Sequence, residues 1–353
     1  MPVDTSFTRS LPKVELHAHL TGSISPACLH SIWQNSASSN TLQDPSIALK
    51  PPGEHHDIYT FFKIFDTYIY GLVNTPETVR LATWSVLQEF KDDGVKYLEL
   101  RTTPRECVET RMTKEGYLEG VLGEMERFNE EEGRAGEGGM RTFLILSVDR
   151  RNTLEQAMRV VELAVKYRDR GVVGVDLCGN PLVGPIEHLK PAFERARECG
   201  FKITLHFAEV PASSTEAELE MLLALRPDRI GHVIHTSEAI EEKIESMGVG
   251  LELCLSCNVH AKMLPDEGGF AEHHLGKWKE RSNAIALSTD DVGVFGSPLS
   301  HEYLLAAQHF YLSKPDLIEL SRRAVSSIFG DTHEKARLQQ LLDSFEDSSL
   351  PGI

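Results

Sequence analysis

His17 and His19 stand two apart in the stretch Leu11-Pro-Lys-Val-Glu-Leu-His-Ala-His-Leu-Thr-Gly-Ser. Its centre, Val14 to Leu20, reads as a β-strand. Side chains two apart on a strand share a face, so the two imidazoles can reach one metal ion. Further histidines and acids fall at the ends of later apolar runs: Asp149, Asp176, His206 with Glu209 three residues on, His232, and the adjacent pair Asp290-Asp291. His17, His19, His206 and Asp290 together make a donor set for one divalent cation. Imidazole nitrogen and carboxylate oxygen suit zinc and some other first-row metals. A cation with one open position would lower the pKa of a bound water towards neutrality. Glu209, beyond the strand end, is free to shuttle a proton. His232 either holds the attacking water or acts as its base. Of the two adjacent acids that end an apolar strand, one is read as a metal ligand and the other as a substrate contact.

These residues need a frame that brings strand ends together. Short apolar runs recur at 96–102, 141–148, 172–178, 201–207, 229–234, 249–255 and 284–289, and amphipathic segments at 113–131, 153–170, 187–199, 214–225 and 237–247 separate most of them. With the opening strand this makes eight strands alternating with helices. The pattern predicts a parallel sheet closed into a (β/α)8 TIM barrel, whose chemistry lies at the C-terminal strand ends. An open doubly wound sheet is the alternative, but no Gly-x-Gly-x-x-Gly follows a strand. Extra helices are expected near Ser25 to Trp33, over Asp57 to Tyr70, over Pro76 to Asp92, and as two or three helices within 300–346. Residues 35–56 read as a loop and 130–139 as a charged, Gly-rich linker. No repeat or boundary divides the chain, so residues 1–353 are expected to form one domain.

Composition excludes several classes of function. The 353 residues carry a formal net charge of −17, which argues against a nucleic-acid partner, because phosphate backbones need clustered Lys and Arg. No apolar run reaches 18 residues, so no membrane association is expected. The N-terminus lacks the apolar centre of a signal peptide. Six cysteines in such a chain suggest reduced thiols and a cytoplasmic location. A monomer is expected.

Other candidates have weaker claims. Cys254-x-x-Cys257 has no second Cys pair, and three apart on a strand its side chains would face opposite ways, so it is read as structural. His55-His56 and His273-His274 lie away from strand ends and are read as surface residues. Phe61, Phe62, Phe65 and Tyr68 fall at helical spacing and suit core packing, or a lid over a pocket. Thr102, Thr103, Pro104 and Arg105 follow strand two. Arg105 after two threonines offers a charge-assisted partner and hydroxyl donors for a monophosphate, unless Arg101 and Arg105 merely pair with acids such as Glu106.

The motifs Val-Glu-Leu-His-Ala-His-Leu, His206-x-x-Glu209, Arg-Ile-Gly-His232 and Ser-Thr-Asp290-Asp291 resemble those of the adenosine/AMP deaminase family, in the same order from about residue 11 to 330. The stretches Asp-Gly-Val-Lys-Tyr-Leu-Glu-Leu-Arg-Thr-Thr-Pro-Arg, Ser-Val-Asp-Arg-Arg and Leu-Glu-Leu-Cys-Leu-Ser-Cys-Asn-Val resemble its adenosine deaminase-like branch of N6-methyl-AMP deaminases.

The resemblance implies a metal-dependent hydrolase barrel with one catalytic Zn2+ per chain, on His17, His19, His206 and Asp290. It implies that Glu209 donates a proton to the purine ring nitrogen beside the reacting carbon. Hydroxide positioned by His232 and Asp290 would attack carbon 6. Asp291 and the backbone at Gly179 would hold the purine. His19, Thr21, Thr102, Thr103, Pro104, Arg105 and Asp149 would complete the site of a purine nucleoside monophosphate. The expected reaction turns N6-methyl-AMP into IMP and methylamine. The alternatives are an adenosine or adenine deaminase and, of another class, a catalytically inactive ligand-binding barrel. Thr21 and Val233 depart from the branch, which often has Asn and Gly there, and bear on substrate preference rather than on the reaction.

Overall fold

The opening run forms a strand over Lys13–His19 (β1), and each later apolar run forms another: β2 (Val95–Thr102), β3 (Arg141–Asp149), β4 (Val172–Cys178), β5 (Lys202–Phe207), β6 (Arg229–His232), β7 (Gly250–Leu253) and β8 (Ile285–Leu287). The structure, a computed structural model, describes residues 2–36, 42–49, 57–134 and 136–349. All eight strands are parallel and pair in sequence order. The ring closes just past β8, where the Asp290 N–H donates to the His17 carbonyl (2.7 Å) and the His19 N–H to the Asp290 carbonyl (2.9 Å). This is the (β/α)8 barrel that the alternation predicts. Its closure sets Asp290 beside both histidines of β1.

Capping chemistry starts the outer helices. Thr75 with Thr78, Thr153 with Gln156, and Ser313 with Asp316 form reciprocal caps at the helices Pro76–Asp92, Leu154–Lys166 and Lys314–Ser326, satisfying N–H groups that a helix start leaves free. Leu154–Lys166 buries Ala157, Val160, Val161 and Ala164, the i, i+3, i+4, i+7 stripe of a helix lying on a sheet. Leu299–Phe310, Lys314–Ser326 and Thr332–Ser349 supply the closing helices.

The inside of the barrel is not purely apolar. Glu15, Glu99, Arg101, Asp176, Arg229 and Glu252 are fully buried on strands. Charges so placed must be paired to be tolerated: Arg101 meets Asp176 and Glu252, and Arg229 meets Glu99 and Glu252, while Glu15 accepts from the His17 and Thr289 N–H groups and burial raises its pKa. This network lies beneath the strand ends.

Several expectations change. The run 249–255 stops being a strand at Leu253, and Leu255–His260 is a short helix. Cys254 and Cys257 therefore do not face opposite ways across a strand. The helix from Ile58 to Leu72 contains a π-helical turn over Phe65–Ile69. Within it Phe65 is buried and Phe62 and Tyr68 half-buried, while the side chain of Phe61 lies outside the described residues. Of the expected 35–56 loop, Pro45–Ala48 is helical. His55-His56 lies outside the described residues.

Candidate active site

Three imidazole nitrogens converge at the C-terminal end of the barrel. His206 Nε2 stands 3.2 Å from His17 Nε2 and 3.1 Å from His19 Nε2, and Asp290 Oδ1 lies 3.5 and 3.3 Å from those two. Outer partners fix which nitrogens carry protons. His17 Nδ1 faces Glu252 Oε2 at 2.6 Å and His206 Nδ1 faces Asp176 Oδ1 at 3.2 Å. Carboxylates only accept, so both Nδ1 atoms are protonated and both Nε2 lone pairs point at the same place. Bare lone pairs packed this tightly repel unless a cation sits among them. The donor set and its geometry therefore fit a divalent metal, and the four residues come together as a group able to hold one.

Arg101 ties the outer carboxylates together. Its Nη1 donates to Asp176 Oδ1 (3.2 Å), and its Nη2 to Glu252 Oε2 (2.7 Å) and to the Leu16 carbonyl (2.7 Å). Ser147 and Thr204 donate to the remaining oxygens of Asp176 and Glu252. The alternative in which Arg101 pairs with a surface acid fails, because Arg101 is wholly inside.

Glu209 reaches the same place from past β5. Ala208 takes φ +52°, which turns the chain at the strand end. Glu209 is 5 % exposed and its Oε2 has no partner. Burial lifts its pKa to about 7, against the pull of His206 and with some help from Asp290. It therefore holds a proton near neutrality. His232 ends β6 with Nε2 3.9 Å from both Glu209 Oε1 and Asp290 Oδ2. His232, Val233 and Asp290 all have φ near +60° (66°, 59° and 59°), a left-handed conformation that is costly for a β-branched residue such as Val233 and that clusters at functional sites. The chemistry of Asp290 and Asp291 is split by their surroundings. Asp290, though buried, stays ionised beside His17. Burial, then the neighbouring Asp290, pushes the Asp291 carboxyl well above the usual range.

A pocket opens to solvent above these groups. His19, His206, Glu209, Asp290 and Asp291 lie at its floor, and Thr21, Thr102, Thr103, Arg105, Asp149 and Gly179 along its wall. His17 and His232 are buried behind that floor, and Pro104 is buried without lining the cavity. Arg105 lies over the Tyr70 ring at 3.9 Å and donates to the Val73 carbonyl (2.9 Å); no carboxylate pairs with it among the described residues, and its Nε has no partner. Thr102 Oγ1 is engaged by the Tyr117 hydroxyl at 2.6 Å. Asp149 is held by Arg151 through Nε (2.9 Å) and Nη2 (2.8 Å).

The adenosine deaminase family model matches residues 12–345. The chain belongs to the adenosine deaminase family. Among its relatives, N6-methyl-AMP deaminase of Danio rerio is 39 % identical over 343 residues, covering 95 % of each chain. N6-mAMP deaminase of Arabidopsis thaliana is 35 % identical over 358 residues, covering 95 % of this chain and 97 % of that one. The crystal structure of Arabidopsis ADAL complexed with IMP superposes with a TM-score of 0.88 at 33 % identity, covering 97 % of this chain and 99 % of that one.

In this adenosine deaminase-family barrel, some residues around the site escaped the sequence reading. Glu252 stands behind His17, and its signal was present: Val-Glu-Leu, Leu-Glu-Leu and Leu-Glu-Leu recur in β1, β2 and β7, each placing a Glu inside an apolar strand. Arg151 brings a second cation to the cavity wall. Cys257, on the first turn of its helix, donates to Asp290 Oδ2 (2.9 Å). Cys254 comes within 4.8 Å of donor atoms of His232 and Asp290. His273 and His274 are not surface residues. His273 is 2 % exposed and bonds Asn258, and His274 Nε2 donates to the His232 carbonyl (2.5 Å). Neither lies on a barrel strand, so strand-end spacing does not mark them. No helix among the described residues is long and apolar enough to cross a membrane.

Proposed function

We propose that the chain hydrolyses N6-methyl-AMP to IMP and methylamine, with one zinc ion held by His17, His19, His206 and Asp290. The observation that carries this reading is a cavity with two chemically different ends. Four converging donors and a protonated Glu209 lie at the floor, and Arg105 and Arg151 lie on the wall. The relatives named for this reaction, and the relative bound to IMP, support the same substrate class. Bound zinc would polarise a water so that it loses a proton near neutral pH.

The protein groups supply the rest. Asp291 and the backbone at Gly179 hold the purine with carbon 6 over the donor cluster. Gly179 suits this role because a side chain there would strike the Asp149 carboxylate at 2.7 Å. Glu209 delivers its proton to the ring nitrogen beside carbon 6, which makes that carbon electrophilic. His232 and Asp290 hold the oxygen that attacks it. The proton that the oxygen gives up goes to the departing amine, and methylamine leaves. Arg105, backed by Tyr70, takes the monophosphate, with Arg151 beside it and Thr21 and Thr103 on the same wall. Thr102 and Asp149 on the wall, with Pro104 behind it, shape this end. A monomer suffices, since every group named comes from one chain.

Turnover in 18O-labelled water tests the reaction type. One labelled oxygen in IMP and one methylamine per turnover are expected. AMP with formaldehyde, the products of an oxidative demethylation, would contradict it.

A further inference from the structure

The hydrogen bonds behind His232 run in one direction. The backbone N–H of Leu275 donates to His273 Nδ1 at 3.1 Å. A backbone amide can only donate, so that nitrogen carries no proton, and a neutral imidazole then carries its proton on Nε2. His273 Nε2 lies 3.1 Å from Asn258 Oδ1 and donates to it. Asn258 therefore turns its amide nitrogen to His232, with Nδ2 3.0 Å from Nδ1. The same nitrogen faces the weak acceptor Met263 Sδ at 3.6 Å. His232 Nδ1 accepts, so its proton is on Nε2. That atom is buried and has no partner in the protein. Burial favours the neutral form of His273, holding it well below the usual histidine pKa.

We propose that His273 and Asn258 are positioning residues that fix His232 as its Nε2–H tautomer, so that His232 offers a donor rather than a lone pair to the attacking oxygen. This rests on the reading of the site given under the proposed function. It has two chemical consequences. His232 does not take the proton of the attacking water and acts by holding the oxygen. It also stays off the metal. The His232 ring lies 5.0 Å from that of His17 and 5.2 Å from that of His206, near enough for a bare Nε2 to compete as a further imidazole ligand. The trio His232, Cys254 and Asp290 is then no ligand set, although its donor atoms lie close together. His274 holds the same residue from the other side, through its carbonyl.

The test is the nitrogen spectrum of the full chain labelled with 15N-histidine, with the His232 signals assigned by their loss in His232→Ala. Wild type is expected to show a protonated Nε2 and a bare Nδ1. His273→Gln preserves the direction of the chain, because its amide oxygen can take the Leu275 N–H and its amide nitrogen can donate to Asn258. It should keep the wild-type pattern. His273→Leu removes the relay, should give a mixed pattern, and should turn over roughly 10–100-fold more slowly than His273→Gln. A protonated Nδ1 in wild type overturns the proposal, and so does an unchanged pattern in His273→Leu. If His273→Leu does not fold, wild type and His273→Gln decide, and an inverted pattern in either overturns it. The spectra need no substrate. A chain inactive on N6-methyl-AMP that still shows the Nε2–H pattern would fail the substrate reading and leave this inference standing.

Discussion

Arg101 Nη2 lies 2.7 Å from Glu252 Oε2, the oxygen that also meets His17 Nδ1. Through its other nitrogen Arg101 meets Asp176, which holds His206. One buried cation thus aims two of the metal-site histidines. Replacing it with Met takes the arginine from the buried Asp176 and leaves Glu252 with Arg229 alone, which costs about 3–5 kcal/mol and frees both rings to turn. Arg101→Met should unfold at lower urea and bind zinc roughly 10–100-fold more weakly. Zinc affinity by competition with a chelator checks this, and unchanged affinity in a folded variant would contradict it.

Glu209 is the group expected to deliver the proton. Glu209→Gln keeps the shape of the site and removes the acid. It should retain zinc and lose on the order of 10²–10⁴ in kcat. The wild-type pH profile should carry the same signature. The active form is the protonated one and its pKa is about 7, so kcat/KM should decline as pH rises through that value. A profile flat from pH 6 to 8 would count against Glu209 as the donor.

Two glycines separate metal binding from purine binding. A Cβ on Gly231 would lie 2.5 Å from the His17 ring, and one on Gly22 would lie 1.4 Å from Asp291 Oδ1. Gly231→Ala should therefore lose zinc. Gly22→Ala should keep zinc and raise KM for the nucleotide. Metal content and KM, measured on both variants, should split in this way.

The phosphate reading of Arg105 predicts a change in preference rather than a general loss. A charge-assisted bond contributes about 1.5–3 kcal/mol, so Arg105→Gln should lower kcat/KM for a nucleoside monophosphate roughly ten- to hundredfold. Any turnover of the matching nucleoside should hardly change. Equal losses on both would place the phosphate elsewhere.

Glu302 links stability to pH away from the chemistry. It is fully buried, accepts from the Ser256 N–H (3.1 Å) and Ser297 Oγ, and burial lifts its pKa to about 7 from an ordinary 4.5. A carboxyl with a raised folded-state pKa stabilises fully below about pH 4.5, and that contribution is lost as pH rises through about 7. Glu302→Gln has no such loss. From pH 5 to pH 8 its unfolding free energy should gain about 2 kcal/mol relative to wild type. A difference that stays constant with pH would exclude this role.

The barrel and the donor cluster were legible because both are written locally. Apolar runs alternate with capped helices, and His17, His19, His206 and Asp290 each sit at a strand end. The tautomers were not legible. They depend on Glu252, Asp176, Asn258 and His273, which meet their partners only through the closed ring or across a loop. The same holds for Cys257: its approach to Asp290 follows from the helix that begins at Leu255, where the apolar run suggested more strand. His273 and His274 read as surface residues because no periodicity marks a side chain that packs behind another histidine.

The central claim is a zinc-dependent deamination that selects the monophosphate. It is tested most directly by offering the zinc-loaded protein N6-methyl-AMP, AMP and adenosine separately and following IMP and inosine. The account predicts IMP and methylamine from N6-methyl-AMP, with adenosine left unchanged. Inosine from adenosine, with both monophosphates untouched, would keep the metal chemistry and contradict the substrate assigned to Arg105 and its neighbours.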